Sequence, residues 1–225
     1  MLYEIYNSNE ELVDYLINKG ALKTPEIIEA FLKVDRVDFV PVEFKNEAYN
    51  NYPLEIGEGQ TISQPETVAF MLELLQPNFG EKILDIGSGS GWTSNLLAYL
   101  VSNQGKKLDK DKKAGQVLAV EIKEKLCLLG KENSKKYNFI SKGILKFFCQ
   151  DGSLGLKEYA PFNKILISAS LQKENQVAIF IEQLADNGYL VCPIGNSIYF
   201  FEKRKNEIIK KEFEGFIFVP LVNNL

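Results

Sequence analysis

The chain has no histidine among its 225 residues. That absence excludes Ser-His-Asp and Cys-His nucleophilic catalysis, the common His-containing zinc sites and any imidazole general base. Whatever chemistry occurs has to run without a neutral-pH proton shuttle. Cysteine is scarce: Cys127, Cys149 and Cys192 are odd in number, far apart and without a Cys-x-x-Cys pair, so reduced, mostly buried thiols are expected. No apolar run approaches ~18 residues, and the opening Met1-Leu2-Tyr3-Glu4-Ile5-Tyr6-Asn7 has no basic segment ahead of an apolar one. Neither a membrane span nor a secretory leader is expected. An excess of positive charge is missing as well: 26 Lys and Arg against 30 Asp and Glu leave a net charge of −4, which offers nucleic acid no general basic face. The expected setting is a cytoplasmic monomer with no membrane, nucleic-acid or metal partner.

What is present is enough to build a core. At 45% hydrophobic content the sequence reads as one α/β domain over 1–225, with 1–60 as an N-terminal helical cap and substrate-side loop and 61–225 as core and C-terminal strands. Its organising stretch is Lys82-Ile83-Leu84-Asp85-Ile86-Gly87-Ser88-Gly89-Ser90-Gly91-Trp92. Ile83, Leu84 and Ile86 suit a strand buried on both faces, and residues 93 to 101 resume as an apolar helix. Glycines at such a strand-to-helix turn tolerate positive φ and let a ligand lie against the backbone at the helix N-terminus. A dinucleotide fingerprint would need glycine where Trp92 stands, and neither a P-loop nor a nucleophile elbow fits the register. The remaining pattern, Asp-x-Gly-x-Gly-x-Gly, resembles motif I of class I S-adenosyl-L-methionine (SAM) methyltransferases. A plain structural turn is its rival.

In chain order, Ser8 and Glu11 form a capping box ahead of Leu12, Val13 and Leu16, with Gly20 as the stop; Thr24-Pro25 starts a second helix. Residues 37–60 are aromatic, turn-rich and without period, a length of irregular chain that is commonly functional. Ser63 is placed to cap a helix beginning Gln64-Pro65-Glu66. Lysines and aspartates at 102–115 read as a solvated surface loop. Val117 to Glu121 is a second buried strand ending in an acid, where a carboxylate is placed to accept two ribose hydroxyls. A helix at 123–137 and a strand at 144–149 lead to Asp151-Gly152. A fourth strand begins at Phe162, a turn falls at 186–188, and strands at 189–193, 197–203 and 207–219 complete a sheet of about seven.

The residues from Arg36 to Leu75 carry a sharper resemblance. Arg-Val-Asp-Phe-Val-Pro, then Pro-Leu-Glu-Ile-Gly-Glu-Gly-Gln-Thr-Ile-Ser-Gln-Pro, with Phe216-Ile217-Phe218-Val219-Pro220-Leu221 near the end, is similar to the protein-L-isoaspartate (D-aspartate) O-methyltransferase family. The resemblance implies a Rossmann-like class I methyltransferase fold, a mostly parallel sheet with helices on both faces and an N-terminal helical cap. It implies SAM as cofactor, S-adenosyl-L-homocysteine as product, and isoaspartyl or D-aspartyl residues of damaged proteins as substrate, their ester collapsing to a succinimide during repair. The cofactor would be held by Thr61, Asp85, Gly87, Ser88, Gly89, Gly91, Glu121, Asp151 and Gly152, with Asp151 meeting the adenine amine. Ser63, with Thr61 and the backbone near Ile62, would hold and orient the carboxylate, and Ile62, Ser63, Val219, Pro220, Leu221 and the Tyr49 to Ile56 loop would grip peptide. Such a carboxylate, which in water gives up its proton at about pH 3.9, is already an anion at pH 7 and needs no base.

The chain departs from that family at Asn163, where aspartate is usual, at Leu171-Gln172-Lys173, where small residues and proline are usual, and at Glu66, where an aromatic or histidine is usual. Alternatives therefore stand beside the main reading: a carboxyl methyltransferase of a dedicated peptide or small acid, or a non-catalytic SAM- or peptide-binding homologue. No Asn/Asp-Pro-Pro-Tyr follows the fourth strand, which argues against amino methylation of bases, and a tRNA methyltransferase would need salt-sensitive RNA binding.

Overall fold

The computed structural model describes residues 5–102, 113–205 and 207–222. The lysine-rich loop expected at 102–115 lies mostly outside them, at 103–112. Two helices open the chain, α1 (Asn9–Asn18) and α2 (Pro25–Lys33). Ser8 caps α1 by accepting from the Glu11 amide, and Gly20 at φ +71 follows its end. Thr24 makes no such side-chain cap on α2. Its Oγ1 donates to Glu73 Oε2 at 2.7 Å, which pins the start of α2 to the helix ahead of the glycine turn.

The aperiodic stretch after α2 is more ordered than its sequence suggests. It holds two 3-10 turns, Arg36–Phe39 and Val42–Glu47, then a hairpin of β1 (Leu54–Gly57) and β2 (Gln60–Ile62). Glu58 and Gly59 at φ 52 and 70 supply the left-handed pair that a tight hairpin turn requires. The hairpin straddles residue 60, the boundary drawn between cap and core.

From there the chain runs α3 (Pro65–Leu75), β3 (Lys82–Ile86), α4 (Trp92–Ser102), β4 (Gln116–Glu121), α5 (Glu124–Asn133), β5 (Leu145–Cys149), β6 (Phe162–Ile167), α6 (Val177–Gln183), β7 (Leu184–Ile194), β8 (Ser197–Arg204) and β9 (Glu207–Glu214). These strands form one seven-stranded sheet in the order β5-β4-β3-β6-β7-β8-β9. Pairing is parallel from β5 to β7 and antiparallel across β7, β8 and β9. This is a Rossmann-like α/β architecture with a mostly parallel sheet. Alternation along β3 sends Ile83 into the core shared with α1, α2 and α4, and Leu84 and Ile86 into the core on the other face with Phe162 and Phe180. Each such fully buried side chain contributes about 1.5–3 kcal/mol, so the strand that carries the glycine turn is anchored from both sides. No helix among the described residues is long and apolar enough to cross a membrane.

Two strand limits differ from the sequence reading. The 186–188 turn lies inside β7, where Asn187 takes φ 61 and the register to β6 shifts. β9 stops at Glu214, and the chain returns to the sheet at Pro220 through Ser170, whose N–H donates to Val219 O and whose carbonyl accepts from Leu221 N, both at 2.8 Å. A third difference is a correction: Cys127 and Cys149 form a disulfide, leaving Cys192 as the free, buried thiol. The two are 22 residues apart, but α5 folds back over the sheet and sets Cys127 against the end of β5, Cα to Cα 5.5 Å.

Closing a loop of that length removes entropy from the unfolded chain worth about 3 kcal/mol. A dithiol reductant should therefore lower the urea midpoint of the wild type and have no effect on a Cys127→Ala/Cys149→Ala variant. An unchanged wild-type midpoint would show that the bridge does not constrain the chain.

Candidate active site

Strand β3 ends in a turn that its neighbour β4 holds in place. Gly87, Gly89 and Gly91 take φ +79, +50 and +90, conformations that other residues rarely adopt. The Gly87 and Ser88 amides donate to Val120 O at 2.9 and 3.1 Å, and Gly91 N donates to Ser88 O at 2.8 Å. Glu121, at the end of β4, accepts from Gly89 N through Oε2 and from Lys123 N through Oε1, both at 2.9 Å. Behind the turn lies Asp85, fully buried, its Oδ2 accepting from Ser94 Oγ of α4 at 2.5 Å. Burial pushes the Asp85 pKa up to about 7; the Ser94 hydrogen bond opposes the rise and the Glu121 charge adds to it.

A cavity opens above the C-terminal ends of these strands. Gly87, Ser88, Gly89, Glu121 and Gly152 form one wall, Thr61, Ile62 and Ser63 a second, and Val219, Pro220 and Leu221 a third. Three expected site residues stand off the lining. Asp85 sits beneath the turn because strand alternation sends its side chain toward α4. Gly91 packs on α5, where an added Cβ would lie 3.1 Å from Gly130 O. Asp151 closes its own turn, Oδ1 accepting from Ser153 N at 2.8 Å, one residue before the lining Gly152.

The cavity adjoins a groove of about 940 Å³ with Phe70, Phe216, Phe218, Lys19 and Glu66 among its walls. Thr61, Ser63, Ser168, Val219 and Pro220 belong to both. Ser63 does not cap α3: Gln64 occupies the cap position, and Asn51 does the capping from the preceding loop. Asn51 Oδ1 accepts from Glu66 N at 3.0 Å while its Nδ2 donates to Glu66 Oε2 at 2.6 Å. Glu66 thus serves the entry to α3, and among the described residues no hydrogen bond occupies Ser63 Oγ. Asn163 is remote from the site, at the opposite end of β6, its Oδ1 accepting from Lys82 N at 2.8 Å.

Residues to which the sequence assigned no role in the site hold these walls together. Arg36 is 0% exposed; Nη1 donates to Ala48 O at 2.6 Å, and Nη2 to Tyr52 O at 3.0 Å and Ser63 O at 3.2 Å. Burial lowers its pKa to about 9, which leaves it cationic at neutral pH. Its guanidinium lies over the Trp92 ring at 5.4 Å, and Trp92, buried against Phe31, donates to Val34 O at 3.2 Å. Packing is thus the place of Trp92. Arg36 had a signal in the Arg-Val-Asp-Phe-Val-Pro motif, whereas Ser168 and Ser170 had none beyond a strand exit of unusual composition.

The lining carries groups that suit a nucleoside. Ser88 Oγ is shut off from solvent and has no partner among the described residues, and the Glu121 oxygens each keep acceptor capacity beyond their backbone bonds. An added Cβ would lie 3.6 Å from Ala169 Cβ at Gly87 and 3.2 Å from Ile56 Cδ1 at Gly89, so glycine lets the turn pack closely on its neighbours.

Asp85 gives the site a pH signature. Its folded pKa lies above the unfolded value, so the folded state holds an extra proton between about pH 4 and 7. The stability that this proton confers is complete below pH 4 and is lost as pH rises through 7, with a slope of up to about 1.4 kcal/mol per pH unit. Denaturation across that range should show the slope in the wild type and a flatter profile in Asp85→Asn. Identical profiles would contradict it.

Comparison with known proteins agrees with this geometry. The family model for protein-L-isoaspartate(D-aspartate) O-methyltransferase matches residues 7–225. The protein-L-isoaspartate O-methyltransferase of Aeropyrum pernix is 37% identical over 216 residues, covering 94% of this chain and 78% of that protein. Its counterpart in Methanococcus aeolicus is 36% identical, covering 95% and 93%. A Plasmodium falciparum protein assigned the same activity, crystallised with S-adenosyl-L-homocysteine, superposes with a TM-score of 0.83 at 25% identity, covering 97% of this chain and all of that one. Sequence, fold and site together make this chain a member of the protein-L-isoaspartate(D-aspartate) O-methyltransferase family.

Proposed function

We propose that the protein esterifies the carboxylate of L-isoaspartyl and D-aspartyl residues in damaged proteins, with SAM as methyl donor and S-adenosyl-L-homocysteine as product. The observation that carries this reading is the seam where Thr61 and Ser63 border both the cavity beside the glycine turn and the larger groove. When bound, the cofactor supplies a methyl group activated on a sulfonium. Glu121 would accept its ribose hydroxyls, Gly87, Ser88 and Gly89 would border its approach, and the Asp151-Gly152 turn would border its base.

On the other side of the seam Ser63 and Thr61 donate hydrogen bonds to the substrate carboxylate. Ile62, Val219, Pro220 and Leu221 line the place where the peptide main chain lies. A carboxylate is ionised at pH 7 and attacks without help from a base, so the missing histidines cost the reaction nothing. The chain's task is alignment and exclusion of water, which strengthens the attraction between the anion and a cationic methyl donor. The reading takes protein or peptide as the partner, neither nucleic acid nor membrane, and a cytoplasmic monomer as the working form.

Transfer of labelled methyl from SAM to an isoaspartyl peptide, beside its twin with normal aspartate, tests the reading. Selective labelling of the isoaspartyl form is expected. Calorimetric SAM binding without labelling would overturn it. In Ser63→Ala, loss of one hydrogen bond to a charged group should lower turnover about 10- to 100-fold while SAM affinity holds. Undiminished turnover would remove Ser63 from its role.

A further inference from the structure

The seam carries a third hydroxyl. Ser168 follows β6, the strand beside β3 in the middle of the sheet, and its N–H donates to Ile86 O at 2.8 Å, immediately before the glycine turn. The next residue, Ala169, lies against that turn, its Cβ 3.6 Å from where a Gly87 Cβ would stand. Ser170 then ties down Val219 and Leu221. The Ser168 backbone is therefore fixed on both sides by bonds to the cofactor wall and to the C-terminal wall. The residue is partly exposed, lines cavity and groove alike, and among the described residues makes no hydrogen bond through Oγ.

A carboxylate has two oxygens and about four acceptor sites. Hydroxyls on one wall alone leave it free to swing about them. A donor from a second wall fixes its plane and decides which oxygen faces the methyl donor. Ser63 stands on the segment leading into α3, and Ser168 on the rigid sheet. Resting on the function proposed above, we propose that Ser168 Oγ is a substrate-binding donor that holds the isoaspartyl carboxylate from the sheet side while Ser63 holds it from the α3 side. The fold makes no use of this hydroxyl, so its removal leaves the folded chain intact.

The test uses the full chain and an isoaspartyl peptide, with Ser168→Ala, Ser168→Thr and Ser168→Val. Alanine should lower kcat/KM about 10- to 100-fold, the loss of one hydrogen bond to a charged group, with Tm and calorimetric SAM affinity unchanged. Threonine, which keeps the hydroxyl, should recover most of the activity, and valine, its near-isostere without one, should not. Combined with Ser63→Ala, the two losses should fail to add, because both side chains hold the same anion. Full activity in Ser168→Ala, equal activity of the threonine and valine variants, or a loss matched by weaker SAM binding would each overturn the assignment. Absence of methyl transfer by the wild type would instead overturn the function on which it rests.

Discussion

Arg36 is shut off from solvent among main-chain carbonyls that come from separate places in the sequence: Ala48, Tyr52 and Ser63. A guanidinium presents five donors in a rigid plane, so carbonyls that bind it must converge on that plane. The loop that runs from 40 to 63 is thereby gathered around a point in the core rather than left to its own weak propensities. Charged hydrogen bonds of this kind are worth about 1.5–3 kcal/mol each, and leaving any of those buried carbonyls unpaired is costly. Because one of the bonds ends on the Ser63 carbonyl, the same interaction sets where the Ser63 hydroxyl stands. The Trp92 ring beneath the guanidinium belongs to the first turn of α4, so the wall that carries Ser63 is registered directly on the helix that follows the glycine turn.

The cofactor wall is built by other means. Its strand is buried on both faces, its turn is bound to β4 by backbone hydrogen bonds and by Glu121, and Asp85 pulls α4 down behind it. Asp85 is destabilised as an anion there, and each Glu121 oxygen accepts one backbone N–H of its own site. Neither acid is arranged as a general base. That agrees with a reaction whose nucleophile arrives already ionised and with a chain that contains no histidine. The two walls meet where Thr61, Ser63 and Ser168 stand together, and the C-terminal segment closes the third side through Ser170.

Much of this was legible from residues in order. The apolar run ending at Asp85, the alternate glycines and the acid after Val120 are local signals with a local cause, and they mark the turn that borders the cavity. The hairpin was half visible: Leu54-Glu55-Ile56 alternates and Glu58-Gly59 is a turn pair, but each strand is too short to stand out. The disulfide was not legible, since nothing in the spacing of Cys127 and Cys149 reveals that a helix folds back onto the end of its following strand. Nor was the cap of α3. Ser63 has the right residue type at nearly the right place, yet Asn51, on a loop that Arg36 organises, reaches the amide first. Asp85 shows the limit of motif reading: spacing put an acid at the strand end, and the two-residue period of the strand put its carboxylate out of reach of the cavity.

If a buried guanidinium positions the substrate wall while the cofactor wall stands on its own, Arg36→Lys separates the two. Lysine keeps the charge but offers a compact ammonium in place of a planar fork, so the carbonyls of Ala48, Tyr52 and Ser63 lose their common anchor. Methyl transfer to an isoaspartyl peptide, measured with calorimetric SAM binding below the variant's melting temperature, is the direct test. A displacement of Ser63 by about 1 Å should cost roughly 100-fold in turnover, with SAM affinity little changed. Wild-type turnover in the folded variant, or a loss of SAM affinity as large as the loss of turnover, would contradict the division of labour between the two walls.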